Sequence, residues 1–477
     1  MEVDKILENL GFNGSGVTVG VLSDSFNALG GAQDDIASGD LPPADRIKIL
    51  NDSFIDGIDE GRAMMQIVHD VAPGADLAFH TAFSGIAGFA NGIKKLAEAG
   101  CKVIVDDVFY FFEPAFQDGL IAQAVDDVTE SGVTYFSSAG NSGRSSYESA
   151  FVDSGVAVDG PAGTVYRLHD WAYGSDSFPD VFQTVFLPNA EAVFLIFQWD
   201  EPFATAAPGS QGSSSDLGMF ILDPILNQVV AIFDRINIGM DPIEIIGLNV
   251  AGYLQFIGRP NDLGYIFLIA IGLRSGKPPK RMKVTSLSYE VRFIAYPTNS
   301  GTGYGHSNAR GTIAVGATNW ESTPRFGLDP PVIRSYSSAF GTPILFDEKG
   351  KRLVKAEVRK QPKVTGPDGG INTFFPDPAF TRFQGTSASA PHVAAVAALL
   401  LSSDPSLGRN EIKDVLKKTA VGMSDPMIPF SEEQRFDFRT GNGFVNASAA
   451  FEELLSRQGK EGKTRNLRVV GSTKVLA

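Results

Sequence analysis

The chain has 477 residues, which exceeds the usual size of one compact core, so at least two folding units are expected. Asp and Glu number 55 against 40 Lys and Arg, a formal charge of −15, and this balance argues against a nucleic-acid partner because phosphate contacts need clustered cations. The single cysteine, Cys101, excludes a disulfide framework within the chain.

The N-terminal stretch carries no recognisable targeting signal. Residues 1–11, MEVDKILENLG, are amphipathic and mixed in charge, without the long apolar centre of a signal peptide. No run in the sequence approaches the length of a membrane span. We therefore expect either a protein that stays inside the cell or a mature chain whose leader is missing from this sequence.

The first third of the chain alternates strand and helix patterns. Short apolar runs at 16–24, 75–82, 102–108 and 133–141 indicate buried strands, and the stretches at 61–70, 84–99 and 118–131 have helical spacing. This alternation predicts an α/β fold with a doubly wound parallel sheet. Its working residues should lie beyond the carboxyl ends of the strands, where Asp24, Asp106, Asp107 and Asn141 fall.

The pattern changes after about residue 146. Eight short runs rich in β-forming residues follow, separated by Gly, Pro, Asn and Asp, and they predict an inserted β-sandwich over 146–300. The eight predicted strands are 164–168, 181–187, 192–199, 217–222, 228–233, 253–258, 264–271 and 282–294.

The last third returns to the first pattern. GTIAVGAT (311–318) indicates another buried parallel strand, and helices are predicted at 388–403, 409–419 and 445–456. We therefore expect a discontinuous catalytic domain formed by 1–145 and 301–457, with a flexible tail at 458–477.

The most informative motif is GTSASAPH (385–392), in which small residues surround Ser387 at the start of an apolar helix. A serine hydroxyl is a weak nucleophile that needs an adjacent base, and a helix N-terminus favours developing negative charge. By itself the motif also fits a Ser or Thr cap on a core helix.

Five blocks together resemble the subtilisin-like serine proteases, in that family's order of Asp, base, Asn and Ser. The blocks are VGVLSDSF, EGRAMMQIVHDVAPGA, SSAGNSG, GTIAVGAT and GTSASAPH. The resemblance implies a subtilisin-like fold, with Ser387 as nucleophile, Asp24 as the triad aspartate and Asn141 as the oxyanion-hole amide. It also implies a polypeptide substrate, secretion from the cell and a monomeric enzyme without a catalytic cofactor.

The chain departs from that family at the base. Alignment through Gly61 and Met64 puts Glu60 where the family has histidine. A free Glu has a pKa of about 4.3 against about 6.5 for His, so Glu60 is the weaker base unless a second carboxylate raises its pKa. We expect Asp24 to do so. The sedolisins, acid peptidases of the same fold, resemble this Ser-Glu-Asp logic, although they differ at the positions of Asn141 and Met64.

Two further residues are candidate substrate contacts. Asp107 stands where the family pairs with substrate backbone, although a solvated Asp at a strand end is an equal alternative. His306, in YGHSN, falls where the resemblance places the back of a specificity pocket. The sequence contains no recognisable metal-binding motif. Asp200, Glu201 and Asp216 nevertheless offer carboxylate oxygens for a structural calcium ion.

The function predicted from the sequence is peptide-bond cleavage through an acyl-enzyme on Ser387. Glu60 and Asp24 act as the proton relay, with an acidic pH optimum. The first alternative is an inactive pseudoprotease that binds peptides or proteins, because the histidine is missing. A second alternative places the function in the β insert, as a carbohydrate or surface adhesin.

Overall fold

The computed structural model describes residues 1–53, 57–173, 178–260, 263–373, 382–427 and 436–460. The elements before the insert follow the predicted alternation closely. They are α1 (Asp4–Leu10), β1 (Thr18–Ser23), α2 (Ala32–Ser38), β2 (Ile47–Asn51), α3 (Glu60–Val71), β3 (Asp76–Thr81), α4 (Gly85–Glu98), β4 (Val103–Asp106), α5 (Leu120–Glu130) and β5 (Thr134–Ser138).

The insert begins at Ser146, and within the described residues its last strand ends at Phe293. It contains β6 (Ser146–Ser149), β7 (Asp153–Asp159), β8 (Val165–His169), β9 (Gln183–Leu187), β10 (Val193–Trp199), β11 (Asp216–Asp223), β12 (Gln228–Phe233), β13 (Ile243–Leu248), α6 (Val250–Phe256), β14 (Tyr265–Ser275), β15 (Met282–Ser286) and β16 (Arg292–Phe293).

The C-terminal part supplies the rest of the main domain. It contains β17 (Thr312–Asn319), β18 (Ile344–Phe346), β19 (Arg352–Glu357), β20 (Val364–Asp368), β21 (Gly370–Ile371), β22 (Arg382–Phe383), α7 (Thr386–Ser403), α8 (Arg409–Thr419) and α9 (Ala447–Lys460). The predicted tail starts inside α9, and residues 461–477 lie outside the described residues.

The main domain is an α/β fold around a parallel sheet of order β2-β3-β1-β4-β5-β17-β20. Val, Ile and Leu fill its central strands because both faces are covered by helices. Helix α7 packs against the sheet and α3 and is almost entirely buried. The expectation that no run approaches the length of a membrane span was wrong for α7, the one helix among the described residues that is long and apolar enough to cross a membrane. Inside the protein, 83% of that stretch is buried.

The insert forms two antiparallel sheets. One has the order β13-β10-β15-β6, and the other joins β12, β11, β14, β8 and β7, with β9 and β16 attached. Side chains from both sheets share one hydrophobic core. The strand predicted at 253–258 was wrong, because α6 occupies most of that segment. The side chain of Asn249 accepts a hydrogen bond from the Gly252 amide at 2.6 Å and starts this helix.

Candidate active site

The candidate residues meet at the carboxyl edge of the parallel sheet. Asp24 follows β1, Asp107 follows β4 and Asn141 lies three residues beyond β5, while α3 and α7 begin with Glu60 and Thr386. Parallel strands end on one side of a sheet, so residues that are distant in sequence converge there. The structure thus brings together Asp24, Glu60, Asp107, Asn141 and Ser387.

The Asp24 carboxylate is buried and held by the backbone. Its Oδ1 accepts hydrogen bonds from the amides of Ser25 at 2.5 Å and Gly61 at 3.3 Å, and its Oδ2 accepts one from Ile58 at 2.6 Å. These three bonds tie the end of β1 to the segment that enters α3. Asp24 therefore fixes where this helix starts, and its charge lies beside Glu60.

The start of α3 is fixed by an unusual turn. Asp59 has the left-handed φ of 59° and is fully buried, and its carboxylate accepts the amide of Ala28 at 2.6 Å and the Arg62 Nη2 at 2.9 Å. Gly61 follows because a Cβ there would overlap the ring of Phe79. This turn directs the first side chain of the helix, Glu60, toward the site.

The carboxyl group of Glu60 lies beside the Ser387 hydroxyl and the Asp107 carboxyl group, and both act on its protonation. Burial raises the pKa of Glu60, and the charge of Asp24 adds to this effect, while the neighbouring Asp107 and Ser387 side chains act in the opposite direction. The carboxyl group is therefore a neighbour of the candidate nucleophile and has a higher proton affinity than a free Glu. Within α3, His69 lies nine positions further along, away from the first turn.

Ser387 is the second residue of α7 and is 9% exposed. The residue before the helix, Gly385, has a φ of 104°, and its amide donates to Asp368 Oδ2 at 3.0 Å. Asp368 is also held by Arg334 Nε at 2.9 Å. The backbone that presents the serine is therefore held in place by the end of β20.

The Asn141 side chain is oriented by the same turn. Its Oδ1 accepts the amide of Thr386 at 3.0 Å and the hydroxyl of Thr386 at 3.1 Å, and that hydroxyl accepts the amide of Gly140 at 3.0 Å. Because an amide N–H can only donate, the oxygen faces Thr386 and Nδ2 points away from it. Nδ2 is thus left as a donor on the residue that lines one cavity together with Ser387.

A cavity of about 220 Å³ lies against Ser387, and Asn141, Asp107 and His306 are in its wall. The insert also contributes to this wall, through Thr285 of β15 and the nearby Leu287. The β insert therefore borders the candidate site instead of standing apart from it.

His306 is fully enclosed between two carboxylates. Its Nδ1 lies 2.7 Å from Glu113 Oε2, and its Nε2 lies 3.0 Å from Asp106 Oδ1. Burial opposes charge on the ring, yet Glu113 and Asp106 outweigh it and raise the pKa of His306 to about 10. With both ring nitrogens occupied, His306 can meet a substrate only through the ring, and its role as a substrate contact stays a prediction.

The three candidate calcium ligands have other partners. Asp200 pairs with Arg352 at 2.9 Å, Asp216 pairs with Arg274, and Glu201 accepts bonds from the Ser213–Ser215 loop. Among the described residues, no group of three His, Cys, Asp or Glu side chains is arranged to hold a metal ion.

Several residues that build the site escaped the sequence analysis. Asp59, Asp368 and Glu113 position Glu60, Gly385 and His306, but each is an ordinary acidic residue in the sequence. The Asp-Glu-Gly run at 59–61 was one available signal, because an acidic residue just before a helix is typical of a buried turn.

Parts of this chain are similar in sequence to known proteases. The Subtilase family profile matches residues 258–443. A thermostable alkaline protease of Halalkalibacterium halodurans is 28% identical over 144 residues, which are 30% of this chain and 36% of that protein. Subtilisin DY of Bacillus licheniformis is 30% identical over 104 residues, which are 22% of this chain and 34% of that protein. The alignments thus span about a third of these curated relatives.

Among solved structures, the CspB protease of Clostridium perfringens matches with a TM-score of 0.58 at 15% identity, over 95% of this chain and 98% of that chain. At this identity the likeness shows a shared fold. The profile match and the curated relatives show that this chain is similar to the subtilase family over part of its length, and the structural likeness shows a subtilisin-like fold.

Proposed function

We propose that this chain is a serine endopeptidase that cleaves polypeptides through an acyl-enzyme on Ser387. The observation that carries the proposal is that the Glu60 carboxyl group is a neighbour of Ser387, at a cavity whose wall also holds an Asn141 amide already fixed by Thr386. A nucleophile, a base and an oxyanion donor thus meet at one edge of the sheet. The subtilase relatives support the same class of reaction.

The proposed chemistry moves one proton through Glu60. As Ser387 Oγ attacks the substrate carbonyl, its proton passes to the Glu60 carboxylate, and Asn141 Nδ2 donates to the oxyanion that forms. Glu60 then returns the proton to the leaving amine, and the peptide C–N bond breaks. A water molecule then attacks the acyl carbon and gives one proton to Glu60. The ester bond to Ser387 breaks, Glu60 returns this proton to Ser387 Oγ, and the carboxylic acid product leaves.

The pH dependence follows from the raised pKa of Glu60. The base works only when ionised, so activity rises as the pH passes this pKa, which burial and Asp24 place above that of a free Glu. We propose an optimum on the acidic side, a monomeric enzyme and, from its likeness to its relatives, a site of action outside the cell.

Fluorophosphonate labelling and peptide hydrolysis from pH 3 to 8 test the proposal. We expect Ser387→Ala to abolish both signals and Glu60→Gln to lower both at least 100-fold while circular dichroism is unchanged. Folded wild-type protein that is unlabelled at every pH would refute the proposal.

The second candidate is an inactive peptide-binding module. It is favoured by one observation, the carboxylate that stands at the base position. The variant Glu60→His separates the two candidates. Labelling that arises only in this variant, near neutral pH, supports a scaffold without turnover, whereas labelling of the wild type that the variant reduces supports the peptidase.

A further inference from the structure

The carboxyl group of Asp107 is buried without a matching donor. Neither Oδ1 nor Oδ2 is reached by a well-aligned hydrogen-bond donor from the described residues. The side chain nevertheless lies in the wall of the cavity that also exposes Ser387. A buried ionised carboxylate without donors is unstable, whereas a neutral carboxylic acid has an O–H of its own to donate.

The acceptor available for that O–H is the neighbouring carboxyl group of Glu60. The groups acting on Asp107 are Glu60 at the start of α3 and both Asp24 and the Ser23 hydroxyl at the end of β1, and none of them is positively charged. Two adjacent carboxylates without a cation share one proton.

The surroundings decide which residue holds the proton. Three backbone amides donate to Asp24, so this carboxylate is stabilised in its ionised form. Among the described residues, neither oxygen of Glu60 is a buried atom without a partner, whereas both oxygens of Asp107 are. The Ser23 hydroxyl is near Asp107 but, among the described residues, is itself without a well-aligned partner, so negative charge is least favourable on Asp107.

We propose that Asp107 is a neutral acid whose O–H donates to the Glu60 carboxylate and holds this base against Ser387. The inference rests on the proposed function, in which Glu60 is the base. Asp107 is then a positioning residue, a role that differs from the substrate contact expected from its place in the sequence. Burial, with the charges of Glu60 and Asp24, raises the pKa of Asp107 well above its usual range, in agreement with this assignment.

In this arrangement a different carboxyl group controls each limb of the profile of activity against pH. Below the pKa of Glu60, the base is protonated and cannot accept the serine proton. When Asp107 loses its proton to solvent at high pH, two adjacent carboxylates repel, and Glu60 loses the bond that orients it. Activity should therefore fall on the alkaline side as well.

The test compares Asp107→Asn with Asp107→Leu from pH 3 to 10, by fluorophosphonate labelling rate and by kcat/KM. The Asn side chain keeps a donor but cannot ionise, so we expect activity within about tenfold of wild type and no alkaline limb. The Leu side chain removes the donor, so we expect at least a 30-fold loss and an acid limb moved to higher pH. An alkaline limb that persists in Asp107→Asn, or equal profiles for Leu and wild type, would overturn the inference.

Infrared difference spectroscopy at pH 7 gives a readout that does not depend on turnover. Subtracting the Asp107→Asn spectrum from wild type should leave the carbonyl stretch of a protonated carboxylic acid. The exposed Asp45 provides the control, and Asp45→Asn should leave no such band. A missing band for Asp107 refutes this inference even if the protein is active, whereas a present band in unlabelled protein refutes only the proposed function.

Discussion

The stability of the insert should depend on one buried acid, Glu244 of β13. This side chain is 1% exposed, lies opposite Phe197 in the sheet, and has an Oε1 without a partner among the described residues. Its neighbour Asn237 donates Nδ2 to the carbonyls of Asp241 and Ile243, both at 3.0 Å, and its Oδ1 is also unpartnered. A proton on Glu244 supplies the donor that these two buried oxygens lack.

The size of the effect follows from proton linkage. Burial raises the pKa of Glu244 from 4.5 to about 8, although Arg235 and Asn237 act in the opposite direction. Between these values the unfolded chain releases the proton and the folded chain keeps it, so each pH unit removes about 1.4 kcal/mol of stability. The contribution is fully present below pH 4.5 and is lost by pH 8, a total of about 4 kcal/mol.

The variant Glu244→Gln tests this linkage because its amide is neutral at every pH and can donate to Asn237. We expect the free energy of unfolding in urea to differ from wild type by less than about 1 kcal/mol at pH 4, and to exceed it by about 2 to 4 kcal/mol at pH 8. The exposed Glu191→Gln is the control and should show no such difference. If Gln changed stability equally at both pH values, the assignment of a buried neutral acid would be wrong.

Three further predictions concern the site and its supports. Asn141→Ala should lower kcat by about 10²–10³ with little change in KM, a range that comes from subtilisin itself, as steady-state hydrolysis would show. Gly385→Ala should slow fluorophosphonate labelling at least tenfold, because the added Cβ would lie 3.1 Å from Asn141 Nδ2. Gly39→Ala is the control and should leave the labelling rate unchanged, because Gly39 has a similar φ but open space around its Cβ position. Arg359→Met should destabilise the protein by about 3 kcal/mol in urea at pH 7, because it strands the buried Asp118 carboxylate that Arg359 contacts twice at 2.7 Å.

Most of the main domain was predictable because its strands are buried on both faces. Runs such as 102–108 and 311–318 are continuous in Val, Ile and Ala, and they became β4 and β17 with ends within a few residues. The insert was harder to predict. The strand predicted at 253–258 contains aromatic and branched residues typical of strands, but the Asn249 cap outweighed this preference and started α6.

For the site as well, residues in local motifs were predictable from the sequence, and contacts between distant elements were not. Ser387, Asn141, Asp24 and Glu60 are carried by short motifs, and the structure brings all four to one edge. The contact between Glu60 and Asp107 was not predictable, since it depends on how closely β4 approaches the start of α3. Periodicity and spacing describe each element alone and give no distance between side chains on two of them.

The choice of Glu at position 60 makes chemical sense only together with the roles of its two acidic neighbours. A histidine base has a ring N–H to give, and a triad aspartate accepts it. Glu60 has no such N–H, and the Asp24 oxygens accept backbone amides from Ser25, Ile58 and Gly61. These three bonds fix the start of α3 through backbone amides and do not involve the side chain at position 60. A residue other than histidine can therefore stand there without a change in the backbone. An imidazole base is oriented by an acceptor for its ring N–H, whereas a carboxylate base is oriented by a group that donates a hydrogen bond to it. A neutral Asp107 is such a donor for Glu60.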